Sequence, residues 1–108
     1  MKTLFKFLRP SVNDQHRGRL TKDGIRIHEA EDFAGMHAAG RLAAEILDEV
    51  AENVFVGQST AAIDKLIEDR VEAAGAKSAT IGYRGYQHAS CISVNHVVCH
   101  GIPGDKKL

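Results

Sequence analysis

Histidine and cysteine side chains are concentrated in one short stretch near the C-terminal end of the sequence. Four of them have a spacing that zinc ligands can have, namely His88, Cys91, His96 and Cys99. The cysteines occupy odd positions and the histidines even ones, so on a continuous strand they would point to opposite faces. Only a sharp turn at Asn95-His96 would gather them. A small zinc-binding module is one hypothesis, and half-buried thiols beside surface imidazoles are the alternative.

His100 is a second candidate for chemistry. The alternating apolar residues of Cys91–Pro103 predict two short strands that meet near Asn95-His96, with His100 at the end of the second strand. Scaffolds often present functional groups at such ends, and the glycine that follows permits a close approach of a ligand. A lone histidine also serves often as a structural hydrogen-bonding group, so the residues alone leave both roles open.

The segment Gly82-Tyr83-Arg84-Gly85-Tyr86 is predicted to be a loop that carries two aromatic rings. Taken alone this pattern is weak, because loop tyrosines often only cover a core. The sequence contains no His-Glu-x-x-His, no nucleophile elbow and no glycine-rich phosphate loop. These catalytic motifs therefore assign no metal ligand, nucleophile or phosphate site.

Two helices precede these segments. Glu31 and Asp32 are placed to open the first, which is predicted to end by Asn53. Its apolar stripe comprises Phe33, Met36, Ala39, Ala43, Ile46, Leu47 and Val50. Ser59 or Thr60 caps the second helix, which ends at Gly75, and its stripe comprises Ile63, Leu66, Ile67, Val71 and Ala74. Two helices followed by antiparallel strands predict an α+β fold with both helices packed on one face of a sheet.

Charge divides the chain into a basic arm and an acidic body. Residues 1–28 carry seven Lys or Arg against two Asp, whereas residues 29–108 carry seven basic against twelve acidic groups. We expect residues 1–28 to be an N-terminal extension. Contact with ribosomal RNA, a mitochondrial transit peptide and a solvated extension are its three interpretations.

Composition excludes several classes of protein. Hydrophobic residues make up 44% of the 108 and charged residues 26%, which is typical of a globular domain. No apolar run approaches the roughly 20 residues of a membrane span, so no membrane partner is expected. Two cysteines are too few for a disulfide scaffold, so we expect both to be free thiols. Free thiols are typical of a reducing compartment, which predicts a cytoplasmic location.

The residues from Ile27 to Leu108 resemble the type I methionine aminopeptidases. The most specific likeness is Cys91–Pro103, and further matches are Gly82–Tyr86 and the helical segment Ala38–Glu45. The resemblance implies the pita-bread fold, two similar α+β halves around a curved antiparallel sheet. Residues 29–108 would then be the N-terminal half of such a domain, truncated before the family's metal ligands.

The resemblance also implies roles for individual residues. Tyr83, Tyr86 and Cys91 would bind the methionine side chain, and His100 would be catalytic, contacting the substrate and stabilising the tetrahedral intermediate. Thr80 stands where many bacterial members carry a cysteine. The family's two divalent ions (cobalt, manganese, iron or zinc) are held by carboxylates and a histidine that follow this segment. No metal ligand is therefore assigned in this chain.

The implied function is the metal-dependent removal of the initiator methionine from nascent proteins. The expected partner is the N-terminus of a nascent polypeptide that begins with Met, with a ribosome contact through the basic arm and no specific DNA. A non-catalytic module that keeps the methionine pocket or sits at the ribosome is the alternative. The zinc module is the third hypothesis, and 108 residues alone are expected to be inactive.

Overall fold

A computed structural model describes residues 18–108, so most of the basic extension predicted for residues 1–28 lies outside the described part. The chain divides into two compact units between Ala44 and Glu45. Residues 18–108 contain two α-helices, α1 (Ala30–Asn53) and α2 (Thr60–Ala73), and a short 3-10 helix over Tyr83–Gly85. No helix in this part is long and apolar enough to cross a membrane.

Helix α1 begins where its acidic first turn predicts. The Asp32 carboxylate accepts a hydrogen bond from the Glu29 backbone N–H at 2.9 Å, which satisfies a donor that the helix itself leaves unpaired. The negative charge also complements the positive end of the helix dipole. The predicted apolar stripe is mostly not buried. Ile46 is 5% exposed, whereas Phe33, Met36 and Leu47 are 64%, 71% and 64% exposed.

Helix α2 has the two termini that the sequence predicts. The Ser59 hydroxyl accepts a hydrogen bond from the Ala62 N–H at 3.2 Å and caps the first turn. At the other end Gly75 adopts a left-handed φ of +70° and donates to the Glu72 carbonyl. The Ala76 N–H reaches back to the Val71 carbonyl at 3.1 Å, which completes a Schellman motif.

Residues 104–108 run beside the start of α2. The Thr60 and Ala61 N–H groups donate to the carbonyls of Lys106 and Gly104, both at 2.9 Å. These contacts satisfy first-turn donors that have no partner inside the helix. Buried Thr60 both donates to the Gly104 carbonyl and accepts from the Gly104 N–H. The segment that follows His100 is therefore fixed to the N-terminus of α2.

An ion pair joins α2 to the last turns of α1. Arg70 Nη2 donates to Glu49 Oε1 at 2.6 Å, and Arg70 Nε donates to the other carboxylate oxygen. The hydrogen bonds to Arg70 lower the pKa of Glu49, and those to Glu49 raise the pKa of Arg70. Ile46 and Ile63, 5% and 4% exposed, form the buried apolar core of the described part.

The predicted strands of Cys91–Pro103 are not formed among the described residues. The two arms of this segment lie before and after the Asn95-His96 turn. The Val97 N–H donates to the Val94 carbonyl at 3.2 Å across the turn itself, and beyond the turn one backbone hydrogen bond joins the arms, from the Ile92 N–H to the Gly101 carbonyl at 2.8 Å. Asn95 and His100 have φ values of +54° and +56°, which interrupt the extended conformation that a strand requires. The predicted turn near Asn95-His96 is present. In residues 18–108 the two helices are thus accompanied by loops, and the predicted antiparallel strands are not confirmed.

We expect Gly101→Ala to destabilise the protein by about 1–3 kcal/mol because the two arms approach too closely for a side chain. An added Cβ would lie 2.1 Å from the Ile92 carbonyl oxygen. Gly104→Ala is the matched control, since its Cβ would meet nothing within 4 Å. Urea denaturation of both variants measures the difference. Equal free energies of unfolding would show that the arms do not approach as described.

Candidate functional site

A pocket of about 640 Å³ brings together all four residues that the sequence singled out for substrate binding or catalysis. Loops and the short 3-10 helix over Tyr83–Gly85 provide its lining. The residues that line it are Ala79, Thr80, Tyr83, Arg84, Gly85, Tyr86, Cys91, His100 and Ile102. Two basic side chains and no carboxylate belong to this set. The lining therefore suits an apolar or electron-rich group better than a cation.

The turn that carries the two tyrosines owes its shape to positive backbone angles. Gly82 and Gly85 have φ values of +87° and +81°, and Arg84 between them has +49°. The Gly82 N–H donates to the Tyr86 carbonyl at 2.7 Å and closes the turn. The Arg84 guanidinium carbon lies 5.5 Å from the centre of the Tyr83 ring, a cation–π distance. Both rings are held at the pocket by this turn.

The Tyr86 hydroxyl forms hydrogen bonds with residues that follow it in the chain. It donates to the Ser90 carbonyl at 2.7 Å and lies 3.5 Å from the Cys91 Sγ. The hydrogen bond with Cys91, with desolvation and the charges of Cys91 and Asp64 contributing, raises the pKa of Tyr86 to about 12. The phenol is therefore neutral at physiological pH and serves as a donor.

His100 reaches the pocket from an unusual backbone conformation. Its φ of +56° lies in the left-handed region, which residues other than glycine rarely adopt. The Gly101 N–H donates to the Ser93 hydroxyl at 3.2 Å, and the Gly101 carbonyl accepts from Ile92. His100 Nδ1 is 3.9 Å from the Cys99 Sγ. Strained residues of this kind cluster at functional sites, where surrounding contacts hold them.

Sequence reasoning missed Asp64 and Ser90, which support the pocket lining without belonging to it, and it considered His88 only as a zinc ligand. Asp64 is 5% exposed and accepts from the Ser90 hydroxyl at 2.6 Å. His88 Nδ1 lies 3.3 Å from the other carboxylate oxygen of Asp64. A signal was present in the sequence, because Asp64 stands three residues before Ile67 on the apolar face of α2.

The described residues do not form a metal-binding site. Residues 18–108 contain no group of three or more His, Cys, Asp or Glu side chains placed to hold an ion. The spacing from His88 to Cys99 therefore does not produce a zinc module there. Cys91 and Cys99 are both exposed free thiols. Of these two, Cys91 lines the pocket.

Comparisons with known proteins match most of the chain. The profile of metallopeptidase family M24 matches residues 34–108. The methionine aminopeptidase of Rickettsia prowazekii is 43% identical over 84 residues, and that of Escherichia coli K12 is 48% identical over 85; each match covers 78% of this chain. The chain spans about a third of the length of these curated relatives.

A solved structure agrees with the sequence matches. The crystal structure of methionine aminopeptidase from Rickettsia prowazekii superposes with a TM-score of 0.74 at 43% identity. The match covers 78% of this chain and 34% of the other. The described residues therefore share the fold of the corresponding part of that protein.

The Tyr86 phenol should titrate far above its ordinary pKa of about 10. The sequence has two tyrosines and no tryptophan, so Tyr83→Phe leaves Tyr86 as the sole source of phenolate absorbance at 295 nm. We expect a midpoint near 12 in the folded protein. Because folding raises this pKa, the associated stability is full below pH ~10 and is lost as the pH rises through 12.

The same titration has two controls. In concentrated urea the midpoint should return to about 10, because the unfolded chain lacks the contact with Cys91. Adding Cys91→Ala should lower the midpoint of the folded protein, since that hydrogen bond is the main cause of the shift. A midpoint near 10 in folded Tyr83→Phe protein would contradict the described contact.

Proposed function

The chain belongs to metallopeptidase family M24, and on that premise we propose that its pocket binds the side chain of an N-terminal methionine while that residue is removed. Two relatives that match 78% of the chain are methionine aminopeptidases. The proposed substrates are nascent proteins that begin with Met and have a free N-terminus.

The observation that carries this proposal is the common pocket of Tyr83, Tyr86, Cys91 and His100. Its volume of about 640 Å³ lies in the range of small-molecule sites. Aromatic rings and a thiol suit a thioether, because sulfur–aromatic contacts add to the burial of a flexible side chain. The two tyrosines and Cys91 would select methionine, and Ile102 would add apolar surface.

His100 is proposed to act on the reacting carbonyl rather than on the side chain. An imidazole N–H at the pocket would donate a hydrogen bond to the oxygen that gains negative charge when the scissile carbonyl is attacked. Its constrained backbone supports this role, because a donor fixed in advance needs no reorganisation during the reaction. The close contact of Gly101 with Ile92 holds that backbone in place.

The divalent ions that the family implies do not fit the described residues. A hydrolytic two-metal centre needs several converging carboxylates. Residues 18–108 offer no cluster of even three metal-ligating side chains. We therefore assign substrate selection and carbonyl polarisation to this part of the chain, and we derive no step through a metal.

We also propose a cytoplasmic location and contact with the ribosome. Both would bring the pocket to nascent chains. The basic residues that would make that contact fall mostly within residues 1–17, outside the described part. Three of them, Arg19, Lys22 and Arg26, are described.

Binding of a Met-Ala-Ser peptide tests the pocket directly. We expect chemical-shift changes in ¹H–¹⁵N spectra at the pocket residues, weaker binding of Leu-Ala-Ser, and a loss of roughly 10-fold in affinity in Cys91→Ala. Cys99→Ala is the matched control, because Cys99 is equally an exposed free thiol but does not line the pocket. Equal losses in the two variants, or shift changes elsewhere, would refute the assignment.

Kinetics of methionine release test the role of His100. The measurement requires protein that releases methionine from a Met-Ala-Ser peptide. In such protein, His100→Ala should lower kcat by about 10²–10³-fold with little change in KM, because a donor to the developing oxyanion acts in the transition state. His100→Asn keeps a donor and tolerates the left-handed backbone, so it should retain more activity. His96→Ala, an exposed histidine outside the pocket, should match the wild type. A raised KM alone would argue against the role.

A further inference from the structure

Asp64 is a carboxylate withdrawn from water at the apolar face of α2. It is 5% exposed, and it is not among the residues that line the pocket. A buried charge is unfavourable unless hydrogen bonds compensate for its lost hydration. Asp64 receives that compensation from two residues of the loop that precedes Cys91, the Ser90 hydroxyl at 2.6 Å and the His88 ring at 3.3 Å.

Both partners of Asp64 bind the pocket lining through their backbone carbonyls. The Ser90 carbonyl accepts from the Tyr86 hydroxyl at 2.7 Å, and the His88 carbonyl accepts from the Thr80 hydroxyl at 2.6 Å. The His88 ring also packs edge-on against the Tyr86 ring, with centroids 5.5 Å apart. Two parallel paths therefore lead from the Asp64 carboxylate to two separate lining residues.

We propose that Asp64 is a positioning residue that sets both the shape and the polarity of the pocket. By fixing Ser90 and His88, it keeps the hydroxyls of Tyr86 and Thr80 donated to backbone carbonyls. Neither hydroxyl is then free to donate to a ligand, and the wall facing a thioether stays apolar. The identity of the ligand rests on the proposed function, whereas the positioning role does not.

Each path predicts its own effect. Ser90→Ala removes the path to Tyr86 but leaves the Asp64 charge and the backbone carbonyl in place. His88→Phe keeps a ring beside Tyr86 but loses the nitrogen that faces Asp64, so it loosens the path to Thr80. Ser90→Thr restores the hydroxyl and serves as the conservative rescue. Asp69→Asn is the matched control on α2, since Asp69 is exposed and pairs with Lys65.

The first measurement needs no ligand. In a Tyr83→Phe background, absorbance at 295 nm reports the titration of Tyr86 alone, with a midpoint near 12. We expect Ser90→Ala to move the midpoint toward the ordinary value of about 10, because the phenol loses its fixed place beside Cys91. Ser90→Thr, His88→Phe and Asp69→Asn should keep it near the starting value. Far-UV circular dichroism at each pH checks that the helices are retained.

The second measurement tests polarity in the chain without the Tyr83 substitution. The affinity ratio of Met-Ala-Ser to Gln-Ala-Ser should fall roughly 10-fold in both Ser90→Ala and His88→Phe, because freed hydroxyls can bind the glutamine amide. Ser90→Thr should restore the ratio, and Asp69→Asn should not change it.

The outcomes separate the two proposals. A shifted Tyr86 midpoint in Ser90→Ala, with no binding of Met-Ala-Ser by the wild type, would support the positioning role and overturn the proposed ligand. An unshifted midpoint with an unchanged affinity ratio in folded Ser90→Ala would overturn the positioning role. If Ser90→Ala fails to fold, an unchanged ratio in His88→Phe overturns it instead.

Discussion

The buried carboxylate of Asp64 constrains the conformation of the loop that follows α2 and leads to Cys91. Leaving a buried, hydrogen-bonded charge without one of its partners typically costs about 1–3 kcal/mol or more, a large fraction of the stability of a small domain. The loop after α2 must therefore deliver a donor to each carboxylate oxygen, and it does so with His88 and Ser90. Once these two residues are fixed, their carbonyls determine where the hydroxyls of Thr80 and Tyr86 lie.

The helices could be predicted from sequence because their determinants are local. The Asp32 carboxylate, the Ser59 cap and the left-handed Gly75 each act within four residues of the backbone groups that they satisfy or redirect. Burial of the apolar stripe of α1 could not be predicted in the same way. An apolar stripe shows which face of a helix can be buried. Whether a residue such as Phe33 is buried depends on residues that are distant in sequence.

The predicted strands of Cys91–Pro103 are not confirmed in the described residues, for a related reason. Alternating apolar residues are compatible with a strand, but a strand exists only when a neighbouring strand provides a ladder of hydrogen bonds. Here the backbone hydrogen bonding between the arms, beyond the turn itself, is limited to the Ile92 N–H and the Gly101 carbonyl. The left-handed backbones of Asn95 and His100 depend on that context, although asparagine and histidine adopt this conformation more often than most residue types do.

The two sides of the pocket are held by different physical means, and this difference matches the work proposed for each. Tyr86 is held by hydrogen bonds that end at a buried charge, a network in which loss of one donor leaves other groups unsatisfied. His100 is held by a strained backbone and a steric contact at Gly101, which fix a single side chain without occupying its ring in a buried network. Selection of a side chain requires a wall with constant shape and polarity. Polarisation of a carbonyl requires a donor that is oriented beforehand yet still free to bond.

The resemblance to known aminopeptidases indicated the residues at the pocket surface. The groups that support them are linked by contacts between residues 24 and 26 positions apart in sequence. Such contacts leave only a faint trace in one sequence, here an aspartate on an apolar helix face.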